Sequence, residues 1–487
     1  MRIARNIAVI AASAGIASGC RREDPNAHRT LSLHPCHLAH VGVETTCGTF
    51  EVFEDRARGA GRKVTLNVAV MPALVSNPEP DPLFILAGGP GQAATTVAPA
   101  LAGVLERVRK RRDIVFVDQR GTGKSNPLEC PRKRDLTLAE RLDSQPNEDE
   151  LKGCLAAYDA DPRLYTTSIA MDDLDEVRAA LGYERINLWG GSYGTRAALV
   201  YMRQHEARVR TATLDGVAPF TLELPLSVAR DGQRALDAMF GACAADHECS
   251  KTFPDLRDRF EKLLASLREH PVDTVVAHPV TGEPTKVTIR APHFAGIVRG
   301  LLYFPEIAAQ LPLTIERASR GDYAAFAAQA WWLGSSAAIA SGMFLSVVCA
   351  EDVPFATPEK IAAATHGTFL GADGINETIA ACRIWPRGSI PAGYREPVTA
   401  NVPTLVLSGE LDPVTPPSYG EETKAHLPQG EHRVVMGVGH GTTASGACVA
   451  NLFADFVETG TAKGKDPECL RANRRPPFSV SFAGTSP

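Results

Sequence analysis

Three residues, Ser192, Asp412 and His440, have the types and the settings to share one reaction. A serine hydroxyl is a weak nucleophile at neutral pH. It needs a base, and an imidazole base needs a carboxylate that fixes its tautomer and steadies its charged form. Ser192 lies in Gly190-Gly191-Ser192-Tyr193-Gly194, a Gly-x-Ser-x-Gly turn. The alternating apolar run 185–189 before it predicts a strand, and the run 193–205 after it predicts a helix. Strand, sharp turn and helix in that order make a nucleophile elbow, in which the hydroxyl is pushed clear of the backbone and the flanking glycines accept the crowding.

His440 follows the predicted strand 433–436 in Gly437-Val438-Gly439-His440-Gly441, and Asp412 follows the predicted strand 404–408 in Gly409-Glu410-Leu411-Asp412-Pro413. Nucleophile, acid, base is the chain order that accompanies such an elbow. Two other acids compete: Asp215, at the end of the predicted strand 211–215, and Glu410. Asp412 is preferred because its loop keeps that order and precedes the loop of the histidine. A tetrahedral intermediate also needs backbone donors, and the amide after the nucleophile, that of Tyr193, is one. The second is expected from Leu86-Ala87-Gly88-Gly89-Pro90-Gly91, after the third predicted strand. Gly89 is the choice there, although a plain Gly-Pro turn would have the same conformation.

To bring these loops together the chain must build a sheet. The runs 49–54 and 63–71 read as an antiparallel pair with a turn around Gly59 and Gly61. The short apolar runs 83–87, 114–118, 186–189 and 211–215 then share the sequence with helices over 170–181 and 193–205. Such alternation implies a mostly parallel sheet covered on both faces. From 221 to 396 the strand rhythm gives way to alanine-rich, helix-like sequence, as in 233–244 and 256–267, which predicts an inserted, mainly helical cap above the carboxyl ends of the strands. Strand-like sequence returns, with a closing helix over 449–457. The expected organisation is an export segment over 1–20, a core split into 36–220 and 397–470, and a cap over 221–396.

The 487 residues, 44% hydrophobic and 22% charged, have ordinary globular proportions, which sets disorder aside and allows one large core with an insertion. A formal charge of −5 without a long basic run gives no electrostatic case for nucleic acid. The short cluster Arg109-Lys110-Arg111-Arg112 reads as a solvated helix end. The glycines from Gly88 to Gly91 lack the spacing of a dinucleotide fingerprint. His28, His34, His37 and His40 match no standard zinc pattern and read as a polar, exposed N-terminal segment. No cofactor and no metal is expected.

Arg2 and Arg5 precede an apolar run over 7–17 that is too short to span a bilayer and reads as an export signal. It ends in Ala17-Ser18-Gly19-Cys20, which resembles a bacterial lipobox with alanine in place of the usual leucine, so Cys20 is the candidate for lipidation. Cleavage by a different signal peptidase would give a soluble exported product. The chain has 11 cysteines, and setting Cys20 aside leaves ten, an even number. Sequence neighbours would pair as Cys36 with Cys47, Cys130 with Cys154, Cys243 with Cys249, Cys349 with Cys382 and Cys448 with Cys469. Ten cysteines allow about 945 connectivities, so neighbour pairing is a hypothesis here and an oxidising compartment goes with it.

In order and spacing, Gly88-Gly89-Pro90-Gly91, Asp118-Gln119-Arg120-Gly121-Thr122-Gly123-Lys124-Ser125 and Gly190-Gly191-Ser192-Tyr193-Gly194 resemble the prolyl aminopeptidase family of serine peptidases. The export signal, the cysteines and the tail with Asp412 and His440 are similar to its secreted tripeptidyl aminopeptidase branch. The resemblance runs from about Cys36 to Cys469 and is weak in the cap. Ala87 stands where the cytoplasmic prolyl enzymes carry histidine, which points away from strict prolyl specificity. The resemblance implies an α/β-hydrolase fold, with Asp118 and Arg120 bracing the nucleophile and oxyanion loops. It also implies cap acids that read the free amino end of a peptide. Cys349-Ala350-Glu351-Asp352 resembles the segment that supplies such a carboxylate, which makes Glu351 the candidate and Asp352 its reserve; a solvated surface acid is the other reading.

The sequence therefore predicts an exported serine aminopeptidase working through an acyl-enzyme on Ser192. Its partner would be a peptide with a free N-terminus, with membrane contact only through an N-terminal lipid. A carboxylesterase with the same three residues, and a non-catalytic binding protein on the same scaffold, are the alternatives. Activity is expected to fall as pH drops through the histidine's ordinary value of about 6.5.

Overall fold

The computed structural model describes residues 30–130, 137–143, 147–335, 339–464 and 467–482. The predicted export signal, Cys20 and His28 lie outside these residues. The strands, in chain order, are β1 His34–Cys36, β2 Thr45–Phe53, β3 Lys63–Met71, β4 Leu83–Leu86, β5 Ile114–Val117, β6 Ile186–Gly191, β7 Val209–Asp215, β8 Val272–Ala277, β9 Pro284–Ile289, β10 Thr404–Gly409 and β11 Gly430–Val435. Nine of them form one sheet in the order β1-β2-β3-β5-β4-β6-β7-β10-β11. The first three pairings are antiparallel and the rest, from β5 to β11, are parallel. This is the α/β-hydrolase fold, with β1 added to the strands expected from the sequence.

The parallel strands β4 (Leu-Phe-Ile-Leu) and β5 (Ile-Val-Phe-Val) are buried at every position, as strands covered on both faces must be. Phe84, Leu86, Val115 and Leu188 pack with residues of the helices Thr167–Ala180 and Tyr193–His205. Their alternates Leu83, Ile85, Ile114 and Phe116 pack with the helices Ala94–Arg109 and Ala447–Thr459. Period-two alternation thus sends each strand's side chains into two separate helical layers.

Register places the site. Leu86 pairs with Gly190, Gly191 with Asp215, Leu407 with Asp215 and Gly409 with Val435. The carboxyl ends of β4, β6, β7, β10 and β11 therefore lie side by side. The loops bearing Gly89, Ser192, Gly216, Asp412 and His440 all leave the sheet at this edge, the edge where open parallel sheets place their ligands.

Between β7 and β10 the chain builds the cap, chiefly from helices such as Leu226–Ala245, Leu256–Glu269, Ala291–Leu301, Ser341–Glu351 and Asp373–Ile384. It has its own core, in which Phe240, Phe260, Phe294 and Phe326 pack with Leu236, Val298 and Ile315. The antiparallel hairpin β8–β9, absent from the mainly helical expectation, lies within it. Leu138 and Leu142, from the excursion between β5 and β6, join the same core, so an early segment of the chain is part of the cap. Of the basic cluster, Lys110 and Arg111 are exposed at the end of the helix Ala94–Arg109, as a solvated helix end requires, but Arg112 is buried, with Nε 2.9 Å from Asp81 Oδ2, because its charge is neutralised by Asp81 and Glu458.

All five neighbour disulfides are formed: Cys36–Cys47, Cys130–Cys154, Cys243–Cys249, Cys349–Cys382 and Cys448–Cys469. Five such bonds fit an exported protein. Among the described residues no helix is long and apolar enough to cross a membrane.

Candidate active site

The elbow is held by backbone contacts that leave no room for side chains. A Cβ on Gly194 would come within 2.1 Å of the Leu86 carbonyl oxygen, and one on Gly190 within 2.3 Å of the Gly194 carbonyl oxygen. Ser192 takes φ 56 and ψ −125, a region that costs a non-glycine residue about 1–3 kcal/mol. Its amide donates to the Asp215 carbonyl at 2.9 Å, and Tyr193 begins the helix Tyr193–His205. The Tyr193 amide thus belongs to a helix N-terminus, whose amides lack intrahelical acceptors and whose dipole favours negative charge.

The glycine loop closes over this turn. A Cβ on Gly88 would sit 3.1 Å from the Ser192 Cβ, and Gly89, at φ 109, lines the same cavity as Ser192 and Tyr193. Asp118 fixes the loop's exit, since its carboxylate accepts from the Thr95 amide at 2.9 Å, at the start of the helix Ala94–Arg109. It also accepts from Asn67 Nδ2 at 2.9 Å, which ties that helix to β3. Arg120, in contrast, does not brace either loop. Its guanidinium pairs with Asp173 at 2.6 and 2.8 Å and donates to the Glu54 and Leu164 carbonyls, because a buried cation must be fully paired.

Of the three acids that competed for His440, the structure brings Asp412 to the ring. Asp412 Oδ2 lies 2.8 Å from His440 Nδ1. The other oxygen accepts from the amides of Val414 at 2.8 Å and Thr415 at 2.9 Å, and the Thr415 hydroxyl donates to Oδ2 at 2.7 Å. Thr415, which the sequence reading missed, is also 3.1 Å from Nδ1. The local signal for it is an aspartate with a threonine three residues on, the pattern of a side-chain-closed turn. Glu410 instead accepts from the Gly437 amide at 2.8 Å.

Asp215 has a different task. Its carboxylate accepts from the amides of Thr442 at 2.8 Å and Thr443 at 2.7 Å, just after His440. Its carbonyl holds the Ser192 amide, so one residue fastens both the nucleophile turn and the histidine loop. On the opposite side His440 N donates to the Tyr303 carbonyl at 3.1 Å, and the Tyr303 ring meets the imidazole edge-on at 5.2 Å. A Cβ on Gly216, the residue after β7, would lie 3.3 Å from His440 Cε1, so the ring stands over the end of the strand that pairs with β6, which carries Ser192. The hydrogen bonds of the ring among the described residues are those of Nδ1; a bond from Nε2 to a serine commonly tightens only with substrate in place.

Burial alone would push the His440 pKa down, but the adjacent Asp412 carboxylate, aided by Asp215, outweighs it and holds the pKa above its ordinary value. Burial would raise Asp412, yet His440 and the Thr415 donors bring it down to about 2. Asp215 goes the other way: burial dominates and raises it despite its two backbone donors. A ring with its Nδ1 proton turned to an ionised Asp412 presents Nε2 as the base.

The cavity above Ser192, about 440 Å3, is walled by the cap through Leu224, Val228, Arg299, Tyr303, Phe344 and Ile375. Glu351 and Asp352 do not reach it. Glu351, 1% exposed, accepts from the Thr167 amide at 2.8 Å, from the Thr167 hydroxyl at 2.9 Å and from the Tyr394 hydroxyl. Asp352, also 1% exposed, accepts from Arg196 Nη1 with both oxygens at 3.0 Å. Asp352 ties the end of the helix Ser341–Glu351 to the nucleophile helix and Glu351 ties it to the start of the helix Thr167–Ala180, and desolvation forces each carboxylate into a fixed set of donors. The acids that line the cavity are Asp373 and Glu377, four residues apart on the exposed side of the helix Asp373–Ile384. That spacing, which puts two carboxylates on one helix face, was readable in the sequence.

Comparison with known proteins agrees with this geometry. The family described as alpha/beta hydrolase fold matches residues 81–257, which carry the elbow, and that described as TAP-like protein matches 367–469, which carry Asp412 and His440. The chain is similar to "Serine protease Hip1" of Mycobacterium bovis, 24% identical over 96% of this chain and 98% of that protein. It is 26% identical to "Tripeptidyl aminopeptidase" of Streptomyces lividans over 47% of each. It is 32% identical to "Probable proline iminopeptidase" of Streptomyces coelicolor over 29% of this chain and 34% of that one.

Proposed function

We propose, from the premise that this chain belongs to the α/β-hydrolase serine peptidases, that it is an aminopeptidase acting through an acyl-enzyme on Ser192. The observation that carries the reading is the 2.8 Å Asp412–His440 pair, seated at the same sheet edge as Ser192 and below a cavity with acids at its wall. In this reading Ser192 attacks the peptide carbonyl while His440 Nε2 takes the hydroxyl proton. Asp412 holds the charged ring, and the amides of Gly89 and Tyr193 receive the developing oxyanion. His440 then gives its proton to the leaving amine. Water, activated by the same ring, releases the acyl group.

Asp373 and Glu377 take over the reading of the substrate's free amino group that the sequence assigned to Glu351 and Asp352. The protein is further proposed to work outside the cytoplasm, held to the cell envelope by lipid on Cys20. The disulfides support that compartment.

The test uses three chromogenic substrates with the wild-type protein: tri-alanyl 4-nitroanilide, its N-acetylated form, and a short-chain 4-nitrophenyl ester. Faster turnover of the free anilide than of the blocked one is expected. Rapid ester cleavage with both anilides untouched would assign a carboxylesterase. Failure of a fluorophosphonate probe to label Ser192 would assign a binding scaffold.

A further inference from the structure

Arg299 is a cation in a mostly apolar cavity with no carboxylate in ion-pair contact among the described residues. It lies on the helix Ala291–Leu301 and lines the same cavity as Ser192 and Thr415. Its stem packs where a Cβ on Gly232 would come within 3.4 Å of its Cγ. Its one side-chain hydrogen bond among the described residues runs from Nη2 to the Tyr303 hydroxyl at 3.3 Å, and its guanidinium sits 5.3 Å from the centre of that ring. Nε is buried without a partner. The other large cavity-lining cation, Arg196, is by contrast neutralised at 3.0 Å by Asp352.

The position of Arg299 gives its direction. Tyr303 touches both residues, with its ring against Arg299 on one side and edge-on to His440 at 5.2 Å on the other. The Arg299 charge also acts directly on the His440 ring. In acyl transfer the imidazole hands its proton to the leaving group, so the side of the cavity nearest His440 is the leaving-group side. A guanidinium there, partly desolvated and held by an aromatic face, is suited to a carboxylate, which it can bind through two parallel N–H donors.

We infer that Arg299 binds a substrate carboxylate on the leaving-group side of the scissile bond, and that the preferred substrates are short peptides whose leaving portion carries that charge. The charge could be the α-carboxylate of a one-residue leaving group or an acidic side chain. The inference rests on the peptidase reading and goes beyond it, since nothing in the Ser192–His440 chemistry requires an anion subsite.

The experiment measures kcat/KM for tetra-alanine as free acid and as C-terminal amide, and for Ala-Ala-Ala-Asp amide, which keeps only the side-chain charge. Wild type, Arg299→Gln and Arg299→Lys are compared. The wild-type protein is expected to favour a charged leaving portion over tetra-alanine amide by roughly tenfold or more, the usual worth of a charge-assisted hydrogen bond. A preference confined to tetra-alanine acid identifies the α-carboxylate, and one shared by Ala-Ala-Ala-Asp amide identifies the side chain. Arg299→Gln should bring these ratios close to one, and Arg299→Lys should keep part of them. Equal wild-type rates on all three peptides, or an Arg299→Gln variant that slows charged and amide peptides by the same factor, would overturn the inference and leave the peptidase reading intact. Hydrolysis of none of the peptides by protein that labels with a fluorophosphonate would overturn the peptidase reading, and the anion subsite with it.

Discussion

The strand-end loops and the cap wall meet at one cavity, but they are built by different rules. Around Ser192, Asp412 and His440 the geometry is set by backbone: Gly194 against the Leu86 carbonyl, Ser192 N on the Asp215 carbonyl, His440 N on the Tyr303 carbonyl. Around Phe344, Ile375 and Arg299 it is set by which face each helix turns inward, and the disulfide Cys349–Cys382 joins two of those helices, Ser341–Glu351 and Asp373–Ile384. Chemistry placed on a rigid sheet edge tolerates almost no substitution. Selectivity placed on packed helices can change side chain by side chain.

The sharpest break of this comparison is Ser192→Ala. It should lower kcat by about 10^6-fold while leaving the cap's cavity able to bind, so that peptide affinity by calorimetry stays within a few-fold. Retained turnover would mean that the chemistry lies elsewhere. Asp412→Asn follows, at about 10^4-fold in kcat, because the amide favours the wrong imidazole tautomer.

Asp215→Asn separates positioning from proton handling. The carboxylate accepts two backbone donors beyond the ring, so the variant should lose about 10- to 100-fold in kcat and about 1–3 kcal/mol of stability, read from denaturant midpoints. A loss equal to that of Asp412→Asn would make Asp215 the ring's true partner.

The same division explains what was legible in the sequence. Ser192, Asp412 and His440 could be found because a sheet edge is encoded locally: an apolar run, then glycines, then one functional side chain. Asp412 could be preferred to Asp215 only by chain order; the different tasks of these two acids depend on register, with Leu407 and Gly191 both pairing with Asp215. Glu351 and Asp352 were misread because acidity does not reveal direction, and both turn toward Thr167, Tyr394 and Arg196. The hairpin β8–β9 had a signal in the alternation of Val272–Ala277 and the turn at Gly282, but it interrupts a region whose flanking stretches read as helix. Arg299 and Tyr303 are local partners of each other, but nothing in the sequence placed them at the cavity, because His440, which Tyr303 meets there, is distant in sequence.

Titration gives a smaller effect with a definite sign. His440 must be neutral to act, and its pKa is raised, so kcat/KM should fall about tenfold per unit on the acid side of a midpoint above the ordinary value of about 6.5. Stability runs the other way for this group: its contribution is complete below about 6.5 and is lost as pH rises through the raised value. The Asp412 contribution, with a folded pKa of about 2, is present above its usual range and is lost as pH falls toward that value. Comparing wild type with Asp412→Asn by thermal denaturation across pH checks both signs, and an activity midpoint below 6.5 would contradict the pairing.

The smallest expected effects are on the cap. Asp373 and Glu377 are exposed at the cavity wall, so water screens them and each bond to a substrate ammonium is worth about 1 kcal/mol or less. Asp373→Asn and Glu377→Gln should each raise KM for tri-alanyl anilide about three- to fivefold with kcat within twofold, and the N-acetylated substrate should be unaffected. The double variant should depart from the product of the two, because neighbours four residues apart that share one substrate ammonium couple. A loss of kcat in place of KM would show that this helix positions the reacting groups, and the division between a backbone-built sheet edge and a side-chain-built cap would fail there.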